Sequence, residues 1–287
     1  MTGVARSLED RRGAFRGLHE SGCFLLANPW DAGSARLLQH LGFSALASSS
    51  AAFAWSIGKP DYAVTLDELL AHLTELCGAV DLPVNADFES GFAREPEAVA
   101  GNVRLAVATG VAGLSIEDSK LEDHGELYDR ALSVERIRAA RAELDRGGSG
   151  VVLVARTEGL LHDPSAVSDA IDKLVAFAEA GADCLYAPGV RDREDIAALV
   201  RAVAPKPVNV LALRPGLAFS ELAELGVRRV SVGGSLARVA WRAVLTAASG
   251  LHSGSLDALA GGAASTELNR IFAAGAALDP ARGTVRG

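Results

Sequence analysis

The sequence predicts a single (β/α)8 barrel with a C-terminal helical extension. Eight short apolar runs alternate with amphipathic stretches, a pattern typical of a parallel sheet with helices between its strands. Eight strand–helix units within about 250 residues fit a closed barrel better than an open sheet. No linker or change of composition divides the chain, so we expect one barrel domain with an N-terminal helix over residues 1–248 and a helical tail over residues 249–287.

The predicted strands are short runs of apolar and β-branched residues. They lie at residues 23–27, 45–48, 84–87, 114–117, 151–156, 184–187, 208–211 and 229–232. Amphipathic helices, with apolar residues at three- and four-residue spacing, are predicted between the strands. The clearest are residues 65–78, 96–109, 134–145, 166–180 and 192–203.

Glycines end three of these helices, in the segments ATGVAG, AEAGAD and AELGVR. Gly110, Gly181 and Gly226 can adopt the left-handed conformation that commonly terminates a helix. Because these turns precede strands, they mark the N-terminal face of the barrel. Functional residues are therefore expected at the opposite face, where the strands end.

The tail contains a second amphipathic segment at residues 266–274. Its apolar residues Leu268, Ile271 and Phe272 need a partner surface, either on this barrel or on a neighbouring subunit.

The composition favours small-molecule chemistry. The formal net charge is -8, the pI is near 5.3 and the basic residues are scattered, so neither nucleic acid nor an anionic membrane is an expected partner. Cys23, Cys77 and Cys184 lie far apart in apolar stretches, as expected for free thiols in a reducing cytoplasm. We find no signal-peptide pattern and no apolar run long enough to span a membrane, and we expect a cytoplasmic protein.

Oxygen-bearing side chains follow two consecutive predicted strands. Asn85, Asp87 and Glu117 stand where these strands end, and Asp61 lies in the longer loop after the second strand. Hard oxygen donors at one end of a parallel sheet suit a divalent cation such as Mg²⁺, which binds few carboxylates and keeps several waters. A strand-end carboxylate can alternatively be solvated or cap the next helix.

Arg156 ends the fifth predicted strand and has two interpretations. It can form a bidentate clamp for a substrate carboxylate, or an ion pair with Glu158 or Glu117. We favour the clamp, because a site rich in acidic residues needs a cation to bind an acidic substrate.

Three further features keep two interpretations each. The run Ser48–Ser50 can offer backbone N–H groups to an anion or relieve tight packing. Gly233–Ser235 can be an anion-binding helix start or a tight turn, and we favour the turn. His124 can be an acid or base of the site or an exposed loop residue.

The motifs together resemble the isocitrate lyase and phosphoenolpyruvate mutase superfamily. The resemblance spans residues 28–247. It rests on NPWDAGSARLL, ASSSAAFAWSIGKPD, PVNADFESGF, GLSIEDS, ARTEG, GADCLYAPG, KPVNVL and GVRRVSVGGSLARVAW, in that order. An ordered set of motifs at barrel spacing is far more specific than any one of them.

The resemblance implies a Mg²⁺-dependent enzyme, with Mn²⁺ as an alternative ion. Such an enzyme breaks or forms a C–C or C–P bond of a small 2-oxo or 2-hydroxy acid through a metal-stabilised enolate. The expected metal-binding residues are Asp61, Asn85, Asp87 and Glu117, the substrate-binding residues are Trp30, Ser49, Ser50, Ala51 and Arg156, and the catalytic residues are Arg156, His124 and Lys120. The resemblance also implies a homotetramer in which a C-terminal helix is exchanged between subunits.

The chain departs from the family pattern at two places. Asn85 stands where many members have an aspartate that contacts the metal, and the loop after Glu117 reads SKLEDHG, without the cysteine that lyases of the family carry there. The departures imply a less typical branch, with decarboxylase or hydrolase activity on oxaloacetate-like or phosphonopyruvate-like compounds. A mutase-like activity is kept as an alternative, although the gating loop of the mutases is not evident either.

Two other classes of function remain open at this stage. A Schiff-base aldolase needs a reactive lysine, and of the four lysines only Lys59 and Lys120 are expected on the active face. A barrel that binds a keto acid without catalysis would also tolerate both departures.

Overall fold

The computed structural model describes residues 6–212 and 216–276 and contains the predicted barrel. Eight parallel strands lie in one sheet with the order β1-β8-β7-β6-β5-β4-β3-β2. The strands are β1 (Phe24–Leu26), β2 (Leu46–Ala47), β3 (Val84–Asp87), β4 (Gly113–Glu117), β5 (Val152–Arg156), β6 (Cys184–Tyr186), β7 (Val208–Leu211) and β8 (Arg229–Ser231). A parallel bridge between Ala27 and Leu46 joins β1 to β2, so the sheet closes on itself.

Helices surround the sheet and extend beyond it. They are α1 (Leu8–Leu18), α2 (Ala32–His40), α3 (Ser50–Ser56), α4 (Leu66–Ala79), α5 (Pro96–Ala108), α6 (Arg130–Arg146), α7 (Gly159–His162), α8 (Val167–Glu179), α9 (Arg193–Val203), α10 (Phe219–Glu224), α11 (Ser235–His252) and α12 (Ser265–Ala276). A short 3-10 helix, Asp257–Gly261, lies between the last two. The three predicted glycine turns are confirmed, since Gly110, Gly181 and Gly226 have φ values of 97°, 101° and 89°.

The apolar core has two parts. The larger lies between the strands and the outer helices, and the smaller lies inside the barrel around Phe15 of α1. Phe15 is fully buried and its ring approaches Gly113, where a Cβ would lie 2.6 Å from the ring, so the position requires glycine. The helix α1 therefore closes the N-terminal mouth of the barrel.

Arginine side chains hold α1 in this position. Arg11 donates to the carbonyl of Cys77 at 2.8 Å, and Arg12 donates to the carbonyls of Val111 and Val107, each at 3.0 Å. These carbonyls lie in the last turns of α4 and α5 and in the segment that leads into β4, so α1 is held against the N-terminal face of the barrel.

The C-terminal region is helical, as the sequence predicts. The predicted helix at 266–274 corresponds to α12, which contacts α2 of the same chain and buries Ile271 there. The helix α11 continues four residues past the predicted domain limit at 248, and residues 277–287 of the tail lie outside the described residues. Among the described residues no helix is long and apolar enough to cross a membrane.

Candidate active site

A cavity of about 220 Å³ opens at the C-terminal ends of the strands, on the face that the sequence predicts. A volume below the range of drug-sized pockets suits a ligand of only a few carbon atoms. The polar and charged residues that line the cavity are Asn28, Ser48, Ser49, Ser50, Asp61, Tyr62, Asn85, Asp87, Ser115, Arg156, Tyr186, Arg229 and Ser231.

Asp87 is the most strongly organised carboxylate of the cavity wall. Its Oδ2 accepts hydrogen bonds from the backbone N–H and the hydroxyl of Ser50, both at 2.9 Å, and its Oδ1 lies 3.3 Å from Nη1 of Arg156. The hydroxyl of Ser48 accepts from the backbone N–H of Asp87 at 2.8 Å. The run Ser48–Ser50 therefore positions the carboxylate of Asp87. The backbone N–H of Ser50, which was a candidate donor to an anion, is bound to Asp87 instead.

Arg156 lies among three carboxylates. Its Nη1 is 3.2 Å from Glu117 and 3.3 Å from Asp87, and its Nε and Nη2 form a bidentate pair with Glu158. The ion pair considered for Arg156 thus exists in the structure, while the substrate clamp stays a prediction. Only 15% of this side chain is exposed, so these charges interact in a poorly solvated environment.

The carboxyl groups near Arg156 outnumber the single positive charge of this side chain. Glu117 and Glu89 are 3% exposed, and Oε1 of Glu89 has no hydrogen-bond partner among the described residues. Burial, and then the charges of Asp87 and Glu117, raise the pKa of Glu89 to about 9. Burial likewise raises the pKa of Glu117, although Arg156 opposes this shift. Both groups therefore favour the protonated form unless a cation lies nearby.

This donor set fits a hydrated divalent cation. No three acidic, histidine or cysteine side chains within residues 6–212 and 216–276 converge closely enough to enclose an ion. Mg²⁺ needs no such cage, because it usually binds through one or two carboxylates and retained waters. Asp61 and Asp87 line the same cavity, and Glu117 contacts both Tyr62 and Arg156 of its lining. The unpartnered oxygen of Glu89 is compatible with a positive charge nearby.

Asn85, the fourth predicted metal ligand, has other contacts. It lines the cavity, but its Oδ1 lies 3.4 Å from Nη1 of Arg229 and its Nδ2 donates to the carbonyl of Ala86. The amide therefore faces the interior of the barrel, and its metal contact stays a prediction.

The other predicted substrate residues divide into two groups. Ser49, Ser50 and Ala51 line the cavity, and the hydroxyl of Ser49 caps α3 by accepting from Ala52 N at 3.3 Å. Trp30 does not line the cavity, and its backbone N–H donates to Ser34 at the start of α2.

The loop of residues 119–127 stands beside the cavity and carries His124 and Lys120. The His124 ring stacks on Tyr62, with ring centroids 3.9 Å apart, and the Tyr62 hydroxyl donates to Glu117 at 3.0 Å. Burial lowers the pKa of His124, which favours a neutral ring. Lys120 pairs with Glu126 of the same loop and does not line the cavity.

Several residues of the site were not predicted. Tyr62, next to Asp61 and with a φ of 63°, joins the cavity to the loop, and its position beside a predicted metal ligand was the available signal. Arg229 lies inside the barrel, and the sequence predicts only a strand at this position. Asn28 has no predicted role, and its Oδ1 accepts from Val232 N and Gly233 N, which supports the tight-turn interpretation of Gly233–Ser235.

The Asp118 carboxylate is engaged by three neighbouring groups. Its carboxylate accepts from the Thr157 hydroxyl, the Glu158 N–H and Lys173 Nζ at 2.6–2.9 Å. The engagement of Lys173 by Asp118 leaves it poorly placed as a Schiff-base nucleophile.

A closed (β/α)8 barrel with carboxylates, two arginines and a small cavity at its C-terminal mouth is typical of a barrel enzyme for small molecules. The family model described as phosphoenolpyruvate phosphomutase matches residues 15–252. The chain therefore belongs to the phosphoenolpyruvate mutase family, within the isocitrate lyase/phosphoenolpyruvate mutase superfamily, and is an enzyme of this lyase and mutase class.

Individual relatives agree with this assignment. An oxaloacetate decarboxylase of Rhodopseudomonas palustris (strain BisB5) is 33% identical over 275 residues, which cover 92% of this chain and 90% of the relative. A lyase/mutase-type protein of Burkholderia cenocepacia J2315 is 46% identical, with a TM-score of 0.89 over 93% of this chain and 98% of that structure. A 2,3-dimethylmalate lyase of the superfamily is 26% identical, with a TM-score of 0.83 over 91% of this chain and 94% of that structure.

Proposed function

We propose that this protein is a Mg²⁺-dependent lyase that decarboxylates oxaloacetate or a closely similar 2-oxo dicarboxylic acid. The observation that carries the proposal is the excess of buried carboxylate around Arg156, at the wall of a cavity sized for a few carbon atoms. The similarity to an oxaloacetate decarboxylase over nine-tenths of both chains supports the choice of substrate.

Asp87, Glu117 and Asp61 would hold the ion, with Asp87 in direct reach of the cavity. When bound, Mg²⁺ would act as a Lewis acid toward the negative charge that develops on the substrate oxygen as carbon dioxide leaves. Ser50 fixes the Asp87 carboxylate, and Arg156 balances part of the negative charge of Asp87 and Glu117. The cavity orients the substrate so that the scissile bond is held in one geometry.

The loop of residues 119–127 is compatible with decarboxylation. This loop contains no cysteine, so it offers no thiol to protonate a carbanion product. Loss of carbon dioxide leaves an enolate that can take its proton from water, so the reaction does not depend on such a thiol. Tyr62 and His124 close the wall between this loop and the cavity.

Phosphonopyruvate is the second candidate substrate, either for hydrolysis or for a mutase reaction, because the matching family model is that of a phosphomutase. Both reactions would use the same carboxylates and the same ion. A protein that binds 2-oxo acids without converting oxaloacetate or phosphonopyruvate would instead be a non-catalytic binding barrel.

The decisive assay measures pyruvate formation from oxaloacetate, corrected for the uncatalysed reaction, with Mg²⁺ and after its removal by a chelator. We expect activity that returns with Mg²⁺ or Mn²⁺, and a loss of about 100-fold or more in Asp87→Asn. Asp67→Asn is the matched control, since Asp67 is an exposed carboxylate on α4. Full activity of Asp87→Asn, or activity unaffected by chelation, would refute the proposal.

We also propose that the protein is a homo-oligomer, with a tetramer as the expected form. The helix α11 exposes several large apolar side chains in the single chain. They include Leu236, Val239, Trp241, Val244 and Leu245, with exposed fractions of 37–69%. Large apolar side chains exposed together on one helix favour a contact with another protein surface.

A further inference from the structure

Arg229 is a buried cation without an acidic partner. It is 2% exposed, its Nε donates to Oδ1 of Asn209 at 2.9 Å, and its Nη1 lies 3.4 Å from Oδ1 of Asn85. Both partners are neutral amides. Within the described part of the chain, no carboxylate lies within ion-pair distance of this guanidinium.

The contrast with Arg156 indicates where an anion can bind. Arg156 and Arg229 line the same cavity, but Arg156 already contacts three carboxylates and Arg229 contacts none. A substrate carboxylate near Arg156 must compete with Asp87, Glu117 and Glu158. Near Arg229 it would meet an uncompensated positive charge.

The surroundings of Arg229 strengthen this argument. Ser231 follows Arg229 by two residues on β8, so both side chains face the barrel interior, and Ser231 also lines the cavity. Phe15 of α1 seals the barrel from the N-terminal side. An unpaired charge in such a site is costly to bury and interacts strongly with an anion that reaches it.

We infer that Arg229 forms an anion subsite at the inner end of the cavity and binds the second carboxylate of a dicarboxylate substrate. The inference deepens and rests on the proposed function, because it explains how a 2-oxo dicarboxylate is chosen over a monocarboxylate. Asn209 and Asn85 orient the guanidinium without neutralising it. A monocarboxylic product lacks the group that Arg229 holds and leaves the cavity more easily.

The test measures binding, which does not require turnover. Malonate serves as the dicarboxylate probe and acetate as the monocarboxylate probe, each titrated calorimetrically into the full-length protein with Mg²⁺ present. We expect the wild-type protein to bind malonate at least about 10-fold more tightly than acetate, the smallest effect of a hydrogen bond to a charged group. Equal affinities would overturn the inference.

Two variants remove the subsite in different ways. Arg229→Met deletes the charge, and Asn209→Asp keeps Arg229 but gives it an internal carboxylate at the present 2.9 Å contact. We expect each to weaken malonate binding roughly 10- to 100-fold while acetate binding changes little. Arg228→Met is the matched control, because the neighbouring Arg228 donates to the carbonyl of Gly22 outside the cavity.

The outcomes separate the two proposals. If a folded Arg229→Met or Asn209→Asp protein binds malonate as the wild type does, the anion subsite is wrong whatever the enzyme does with oxaloacetate. If malonate binding depends on Arg229 but oxaloacetate is not converted, the subsite stands and the decarboxylase assignment fails. Thermal unfolding of each variant verifies that it is folded before its affinity is compared.

Discussion

Asp87 shows how single residues set the chemistry of the site. One of its oxygens is held by both donors of Ser50 and the other faces Arg156, so the carboxylate has one orientation. If Asp87 binds the ion as proposed, this fixed orientation lets it do so without reordering. The Ser50 hydroxyl is consequently a positioning group that acts through Asp87.

Ser50→Ala tests this positioning role. The variant keeps the backbone N–H to Asp87 and loses only the hydroxyl bond of 2.9 Å. We expect Mg²⁺ affinity to fall roughly 10-fold, as is usual when a group that orients a metal ligand is removed. The Mg²⁺ concentration dependence of turnover measures it. Ser56→Ala, at the other end of α3, is the control, and an unchanged Mg²⁺ dependence in Ser50→Ala would contradict the role.

At the scale of elements, α6 stabilises the loop that follows β3. Arg136 of α6 is 1% exposed and donates to the carbonyls of Ser90, Ala93 and Glu117, and it lies over the Tyr128 ring. One side chain therefore ties together the ends of β3 and β4, from which Asp87 and Glu117 project.

Arg136→Met should destabilise the protein by about 3 kcal/mol, because buried carbonyls would lose their donor. Urea unfolding followed by circular dichroism measures the free energy of unfolding. Arg138→Met serves as the comparison, since Arg138 forms an exposed pair with Glu135 that contributes little. Equal unfolding free energies in the two variants would show that Arg136 does not hold the loop.

The contact between α3 and α4 gives the protein an acid-sensitive element. His72 is 3% exposed, stacks on Phe53 at 3.8 Å and has no hydrogen-bond partner for Nε2 among the described residues. Burial lowers its pKa from 6.5 to about 4. Between these values the unfolded chain binds a proton that the folded chain does not, so stability decreases as the pH falls through this window.

His72→Phe should remove this pH dependence. Relative to the variant, we expect the wild type to lose about 1.4 kcal/mol of stability for each pH unit from 6.5 down to about 4. Urea unfolding at several pH values measures the difference. The control His40→Phe replaces an exposed histidine, and its stability should depend on pH as that of the wild type does. If the stability of His72→Phe depends on pH as that of the wild type does, His72 is not the group responsible.

At the scale of the whole molecule, the barrel was predictable and the detailed site was only partly so. All eight predicted strands are present, because a parallel sheet covered by helices leaves uninterrupted apolar runs in the sequence. Asp87 and Arg156 were identified because they stand at strand ends. Arg229 was missed because Arg228 and Arg229 look alike in the sequence, and only the closed sheet determines which one points inward.

The exposed face of α11 belongs to the same scale. Trp241→Glu places a charge in the centre of this face, where Trp241 is 39% exposed, and should shift the protein to a lower oligomeric state. Light scattering after size-exclusion chromatography gives the mass of each species. Leu105→Glu alters an exposed leucine of α5 and should leave the mass unchanged. A monomeric wild-type protein would contradict the proposed oligomer.

The helix α1 also determines the side of the barrel from which substrate and product reach the cavity. Because Phe15 seals the N-terminal end of the barrel, we expect the substrate and the products to pass through the cavity at the C-terminal ends of the strands. Because substrate and product share this route, a new substrate molecule can bind only after the last product has left. Accumulated product should accordingly compete with substrate, so that progress curves slow down before the substrate is exhausted.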